Sequence, residues 1–195
     1  MSFAAALVLS GCVPSLNPLY TEKDLVFDPA LVGIWADAEN ADSDTWTFEK
    51  DGAKAYKLVI NEKGDAREFE AHLFKLGTNL FLDFSPSDSL KEVRQEFIKA
   101  CLLPAHLFAK VTQIEPALGF AFLDPEWLEK LLKENPQALR HEIIQQERLV
   151  LTASTQELQA FLLKQASDPK AFAKPGTLQR KQPKANLPPA KKSEP

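Results

Sequence analysis

The amino-acid sequence predicts an α+β fold, mainly antiparallel β, arranged as a meander or barrel of about eight strands with three short helices. Three observations predict it. Apolar and polar residues alternate with period two over much of the chain, glycine-containing turns separate these runs, and helical spacing with capping signals occurs in three places. The length of 195 residues is enough for one domain with a substantial core. No apolar stretch is long enough to span a bilayer.

Strands are predicted where apolar and polar residues alternate, which gives each strand one buried face and one solvent-exposed face. Trp46 and Phe48 alternate with polar residues, and the same period continues in the runs that follow. Gly52 and Gly64 supply the positive φ of tight turns, so the runs are expected to form hairpins. The predicted strands cover 33–36, 44–50, 54–60, 66–76, 80–84, 106–112, 117–123 and 177–181, with a strand pair or extended run over 139–152.

Three short helices are predicted from their N-terminal signals. Capping boxes begin at Ser89 and Ser154, and Asp124 is an N-cap followed by proline at the first helical position. The first two helices are expected over 89–101 and 125–134. The first lies between two strands, where it would either cover the barrel as a lid or pack on the core.

The segment Leu9-Ser10-Gly11-Cys12 ends a short apolar run near the start of the sequence. It resembles the lipobox of bacterial lipoproteins, in which the cysteine becomes the lipidated first residue of the mature chain. Small side chains at Ser10 and Gly11 let an extended segment enter a peptidase site, and a thiol can take a thioether-linked lipid. No Lys or Arg precedes the apolar run, so either translation starts upstream or the segment is a buried strand or helix.

The lipobox resemblance implies an envelope lipoprotein carrying acyl chains such as palmitate, with membrane lipid as its partner through Cys12. Val13 stands where an aspartate would favour inner-membrane retention in enterobacterial lipoproteins, so the outer membrane is expected if the organism has one. The expected organisation is a partial signal peptide (1–11), the lipidated cysteine with a proline-rich tether (12–30), a single β-rich domain (31–181) and a disordered basic tail of Pro and Lys (182–195).

The sequence Gly33-Ile34-Trp35 opens the first predicted strand. It resembles the Gly-x-Trp opening of lipocalins and the wider calycin families, in which the tryptophan plugs one end of a small up-and-down barrel. The resemblance implies a lipocalin-like meander or barrel with Gly33 and Trp35 at one end. In those families a basic side chain from the last strand packs over the tryptophan, a role that Arg180 or Arg148 would fill. The helices inserted between strands depart from a simple lipocalin.

Thirteen Phe and three Trp indicate an aromatic interior, which either fills a small barrel or lines a pocket for an apolar ligand. The predicted function is therefore non-enzymatic binding of a small apolar or amphipathic molecule among Phe69, Phe81, Phe120 and Phe122. The alternative is an envelope protein-interaction module with a filled core and no small-molecule ligand. In that case the partners would be other envelope proteins.

Catalytic templates are missing from the sequence: it has no Gly-x-Ser-x-Gly elbow, no Gly-rich phosphate loop and no Gly-x-Gly-x-x-Gly. His141-Glu142 opens like a zinc-protease helix, but Gln145 stands where the second ligand would be. The other two histidines, His72 and His106, are expected at the surface or at strand ends. No enzyme activity, metal site or cofactor is predicted.

The two cysteines leave two alternatives open. If Cys12 is acylated, Cys101 is a lone thiol that behaves as a small buried apolar residue. If Cys12 is not acylated, a Cys12–Cys101 disulfide can form in an oxidising compartment.

The charge is uneven along the chain. The whole sequence has a formal net charge of −4, yet its last 22 residues contain six basic residues and one acidic residue, Glu194. The acidic body argues against nucleic acid as a partner, because phosphate contacts need clustered positive charge. The six basic residues of the tail are Lys174, Arg180, Lys181, Lys184, Lys191 and Lys192.

Overall fold

A computed structural model describes residues 12–37, 44–87, 103–145 and 148–181. Within these ranges the chain forms ten strands, two α-helices and a short 3-10 turn at Pro29–Leu31. The strands are β1 (Gly33–Ala36), β2 (Thr45–Asp51), β3 (Ala55–Glu62), β4 (Asp65–Leu76), β5 (Asn79–Pro86), β6 (Leu107–Gln113), β7 (Ala117–Phe122), β8 (His141–Ile144), β9 (Arg148–Leu151) and β10 (Gly176–Arg180), and the helices are α1 (Pro125–Glu134) and α2 (Thr155–Gln165).

Eight of the strands close into an antiparallel barrel in the order β1-β10-β7-β6-β5-β4-β3-β2. Strands β1 to β7 pair with their neighbours in sequence, as a meander requires. The last strand closes the barrel, because β10 pairs with β7 on one side and with β1 on the other. The predicted fold class, an α+β lipocalin-like barrel of about eight strands, is confirmed.

The strands β8 and β9 form a separate two-stranded sheet outside the barrel. They occupy the region over 139–152, for which the sequence predicts a strand pair or an extended run. The isoleucine at position 144 lies opposite Arg148 beside the turn of this hairpin.

The barrel interior is filled by alternate side chains of its strands. Trp46 and Phe48 of β2 point inward and are 6% and 1% exposed, whereas the intervening Thr47 is half-buried on the other face. They pack with Leu58, Leu118 and other inward-facing residues in one apolar core. This is the consequence of period-two alternation in a closed sheet.

A second apolar core lies on the outside of the barrel. Phe74, Phe81 and Phe108 project from the outer faces of β4, β5 and β6. They pack with residues of α1, α2 and β9, so this part of the sheet is buried on both faces. Apolar residues therefore stand next to one another, as in Leu73-Phe74 of β4 and Leu80-Phe81-Leu82 of β5, because both faces are buried.

Two of the three predicted helices are confirmed. The carboxylate of Asp124 accepts a hydrogen bond from the backbone N–H of Trp127 at the start of α1. Ser154 and Glu157 form the capping box of α2. The helix predicted over 89–101 lies outside the described residues. Neither of the helices in the described part of the chain is long and apolar enough to cross a membrane.

The proline-rich stretch expected to be a tether is packed against the domain instead. We call residues 13–28 the strap. Ser15 is fully buried and pairs with His106 on one side and Leu151 on the other. Leu19 is also fully buried, and the backbone N–H of Val26 donates to a carbonyl of β4 at 2.9 Å. The prolines prevent regular structure, but the apolar residues between them cover the outer core, so the stretch is not free.

Candidate functional site

The barrel has one end sealed by Trp35. This side chain is fully buried, and its indole Nε1 donates a hydrogen bond of 2.9 Å to the backbone carbonyl of Leu31. Leu31 ends the 3-10 turn, which is capped by the side chain of Asp28. The hydroxyl of Tyr56 donates to the carbonyl of Asp28 and accepts from its N–H, at 3.1 and 2.7 Å. The strap is therefore fastened across this closed end.

Arg180 covers the sealed end from outside. Its guanidinium carbon lies 4.2 Å from the centroid of the Trp35 ring, which is a cation–π arrangement. One guanidinium nitrogen donates to the carbonyl of Val32 at 2.8 Å, and the other donates to the carbonyl of Ala30. The structure thus brings Arg180 to Trp35, whereas Arg148 lies exposed on β9 in the separate sheet.

Gly33 belongs to the same arrangement. Its φ is +142°, which side chains rarely adopt. A Cβ at this position would also collide with the guanidinium of Arg180. The glycine is needed both for its backbone conformation and for the close approach of the arginine, and the three residues Gly33, Trp35 and Arg180 form one unit.

The barrel interior contains aromatic rings in mutual contact. Trp46 stacks on Phe120 with ring centroids 5.0 Å apart and meets Phe84 edge-on at 5.7 Å. Phe120 in turn meets Phe122 edge-on at 5.7 Å. Aromatic pairs of this kind stabilise a packed core. Of the proposed pocket residues, Phe120 is 2% exposed and belongs to this packed layer.

Phe81 does not face the barrel interior, so its assignment to an interior pocket is wrong. It is fully buried in the outer core and stacks on Phe74 with ring centroids 5.6 Å apart. The residues on either side of it, Leu80 and Leu82, face the interior. Because β5 is apolar on both faces, its sequence does not reveal which alternate set points inward.

The end of the barrel opposite Trp35 carries partly buried apolar side chains in the described part of the chain. Phe69 and Phe122, two of the proposed pocket residues, lie here with Ile60 and Leu107, and all four pack against the interior core. They come from β3, β4, β6 and β7 and surround the end opposite Trp35. We call these four residues the mouth ring. They offer apolar surface that is neither fully buried nor fully in water.

Two surface grooves lie outside the barrel. One, of about 540 Å³, runs between α1 and α2 and is lined by Leu131, Arg140 and Phe161 among others. The pKa of Glu157 beside it is lowered to about 2, chiefly by the hydrogen bond from Arg140. The other, of about 320 Å³, lies between α1 and the β8–β9 hairpin.

A buried polar cluster on the outer face of the barrel is absent from the sequence-based predictions. Asp83 is 1% exposed, and its carboxylate lies 2.7 Å from Nδ1 of His106 and accepts the N–H of Leu19 at 2.9 Å. His72, the cross-strand neighbour of Asp83, stacks against the ring of Tyr20 at 4.4 Å. The pKa of Tyr20 is raised by burial and then by the nearby carboxylates.

This cluster fastens the strap. The expected surface or strand-end position is wrong for His72, which lies within β4 with a side chain only 10% exposed. His106 lies at a strand end as expected, directly before β6, but its side chain is only 16% exposed. Each oxygen of the Asp83 carboxylate has one partner, the N–H of Leu19 in the strap and the imidazole of His106. The one indication of this cluster in the sequence was an aspartate within the apolar run of β5, because a buried carboxylate requires hydrogen-bonding partners.

Cys12 is a free, half-buried thiol at the start of the strap, and burial raises its pKa. Cys101, the basic tail beyond 181 and the segment 1–11 lie outside the described residues. In the described part of the chain, no three His, Cys, Asp or Glu side chains are grouped as metal ligands.

The fold and the sealed end define the class of the protein: a lipocalin-like closed antiparallel barrel with an arginine-covered tryptophan at one end. Comparisons with protein-family models, with curated proteins and with solved structures found no match to the chain.

Proposed function

We propose that the protein is a membrane-anchored envelope lipoprotein, without enzymatic activity, whose barrel binds a small apolar or amphipathic ligand at the end opposite Trp35. The mouth ring is the observation that carries the proposal. Its partly buried side chains, including Phe69 and Phe122, pack on the interior core but keep apolar surface within reach of a ligand. Binding sites of small apolar ligands are concave and lined by such side chains.

The packed interior limits how deep this ligand reaches. Trp46 lies inside the barrel with its ring centroid 5.0 Å from that of Phe120 and 5.7 Å from that of Phe84. An acyl or ring portion would rest on the mouth ring and leave its polar end in water. This supports an amphipathic ligand held shallowly, in contrast to a molecule enclosed along the full length of the barrel.

The same aromatic packing favours a second candidate function. If the mouth ring is covered in the native protein, the barrel is a filled scaffold that presents surfaces to other envelope proteins. Eight-stranded barrels of this size are often filled by their own side chains. The two candidates differ in whether the purified protein binds a small apolar molecule.

Titration of the purified protein with a fluorescent fatty-acid probe separates them. Ligand binding at the mouth predicts saturable binding that Phe69→Gln weakens about tenfold, because roughly 1.4 kcal/mol of apolar contact is lost. Leu163→Gln is the matched control, since Leu163 is an exposed apolar residue on α2, and should leave binding unchanged. No saturable binding by the natural sequence would favour the filled scaffold, and equal binding by Phe69→Gln would exclude the mouth.

The proposed anchor rests on the lipobox ending at Cys12 and on the position of this thiol. Cys12 immediately precedes the packed strap, so the modified residue would stand at the edge of the folded domain. Cell fractionation tests the anchor: Cys12→Ser should move the protein from the membrane to the soluble fraction, and Cys101→Ser should not. Equal membrane partition of Cys12→Ser and the natural sequence would exclude anchoring through this residue.

A further inference from the structure

The β8–β9 hairpin carries exposed apolar side chains that the barrel does not explain. Ile143 and Ile144 are 57% and 49% exposed. They are the last two residues of β8, next to the turn of the hairpin. As neighbours on a strand they point to opposite faces, so the hairpin presents apolar surface on both sides at its tip. We call Ile143, Ile144 and the adjacent Arg148 the hairpin tip.

The strap places Cys12 at the same end of this small sheet. Ser15 pairs with Leu151 in the parallel direction. The N–H of Leu151 donates to the carbonyl of Pro14 at 2.8 Å, and its carbonyl accepts the N–H of Leu16 at 2.9 Å. In parallel pairing, the residues before Ser15 run beside those before Leu151. The chain therefore runs back from Ser15 to Cys12 in the direction in which β9 runs back to the hairpin tip.

The strap leaves no long flexible segment between the proposed lipid and the folded surface. Val13, the residue after Cys12, is only 7% exposed and belongs to the outer core. An extended residue spans about 3.3 Å, so a lipid on Cys12 would hold the domain directly at the headgroups. The expected long tether would have allowed the domain to stand clear of the membrane, and the packed strap does not.

The chemistry of the hairpin tip suits this position. Isoleucine side chains gain free energy by leaving water for the boundary between headgroups and acyl chains. Arg148 lies directly across from Ile144 and is exposed, and a guanidinium pairs well with lipid phosphate. Apolar residues beside a basic one are typical of a surface that rests in a phospholipid interface.

We propose that the hairpin tip enters the headgroup region of the phospholipid bilayer that carries the Cys12 lipid, and so holds the barrel in one orientation on the membrane. This inference rests on the proposed lipid anchor. The lipid fixes the domain at the surface, and the hairpin tip supplies a second contact that prevents free rotation about the first.

Tryptophan fluorescence of the lipidated protein in vesicles tests the proposal. The vesicles contain phosphatidylethanolamine and phosphatidylglycerol with brominated acyl chains, which quench tryptophan on contact. The variant Ile144→Trp is compared with Leu163→Trp, because Leu163 is 48% exposed but lies on α2 beside Gly77 at the β4–β5 turn. The emission of the natural tryptophans is subtracted with the unsubstituted protein.

The expected result is a blue-shifted Ile144→Trp emission that is quenched several-fold more strongly than that of Leu163→Trp. Sedimentation with the vesicles distinguishes failure of the lipid anchor from failure of the hairpin to insert. A protein that does not sediment overturns the anchor and, with it, this inference. A protein that sediments without quenching at position 144 retains the anchor but overturns insertion of the hairpin. A blue shift that appears without vesicles as protein concentration rises also overturns insertion, and assigns the hairpin tip to a second copy of the chain.

Discussion

Replacing Arg180 by methionine should destabilise the barrel, because this side chain joins the last strand to the sealed end. Methionine keeps an aliphatic stem over Trp35 but removes the cation and both hydrogen bonds to the carbonyls of Val32 and Ala30. The arginine side chain is 35% exposed, so solvent screens part of each interaction.

The magnitude follows from these contacts. Two partly exposed, charge-assisted hydrogen bonds contribute about 1 kcal/mol each, below the range for buried ones. The cation–π contact adds about 0.5–1 kcal/mol. We expect Arg180→Met to lower the free energy of unfolding by about 2–3 kcal/mol, which corresponds to a fall in Tm of roughly 5–10 °C for a domain of this size.

Urea unfolding and thermal unfolding followed by circular dichroism measure the effect. Arg180→Lys, which keeps the cation but cannot reach both carbonyls, should lose an intermediate amount. Arg148→Met removes an exposed arginine from β9 and should change stability by less than about 0.5 kcal/mol. If Arg180→Met and Arg148→Met unfold alike, the sealed end does not depend on Arg180.

Two further predictions concern the strap and α2. Asp83→Ala leaves His106 and the N–H of Leu19 without their acceptor in a buried site. It should lower the free energy of unfolding in urea by about 2–4 kcal/mol and make the strap sensitive to limited proteolysis. An unchanged digestion pattern would contradict this role. The pKa of Glu157 is lowered from 4.5 to about 2 by Arg140, so its ionised form is stabilised by folding. Relative to Glu157→Gln, the natural sequence should have extra stability above pH 4.5 that disappears as the pH falls towards 2; a difference independent of pH would refute it.

The strands of the barrel could be predicted wherever one face is wet. The alternation of Trp46 and Phe48 with polar residues places β2 to within a residue of its observed bounds. The same alternation is missing where the outer core covers the sheet, because Phe81 and its neighbours are buried on both faces of β5. The sequence shows that these residues are apolar. Which of them point into the barrel and which point outward depends on the helices that cover the sheet.

The candidate sites were predictable only in part, because they depend on which distant segments meet. Gly33 and Trp35 could be assigned to a barrel end from their local motif. The choice of Arg180 over Arg148 requires knowing that β10 closes the barrel. Apolar residues scattered among prolines have no period, so the strap could not be distinguished from a free tether, and the partners of Asp83 could not be named.

We propose that a lipid at Cys12 holds this barrel on a membrane. The intact mass of the mature protein, purified with detergent from its native membranes, tests it most directly. We expect a chain that begins at Cys12 and exceeds the mass of its sequence by a diacylglyceryl group, with or without a further acyl chain on the new amino terminus. A chain that retains residues before Cys12, or one that carries no acyl group, would contradict it.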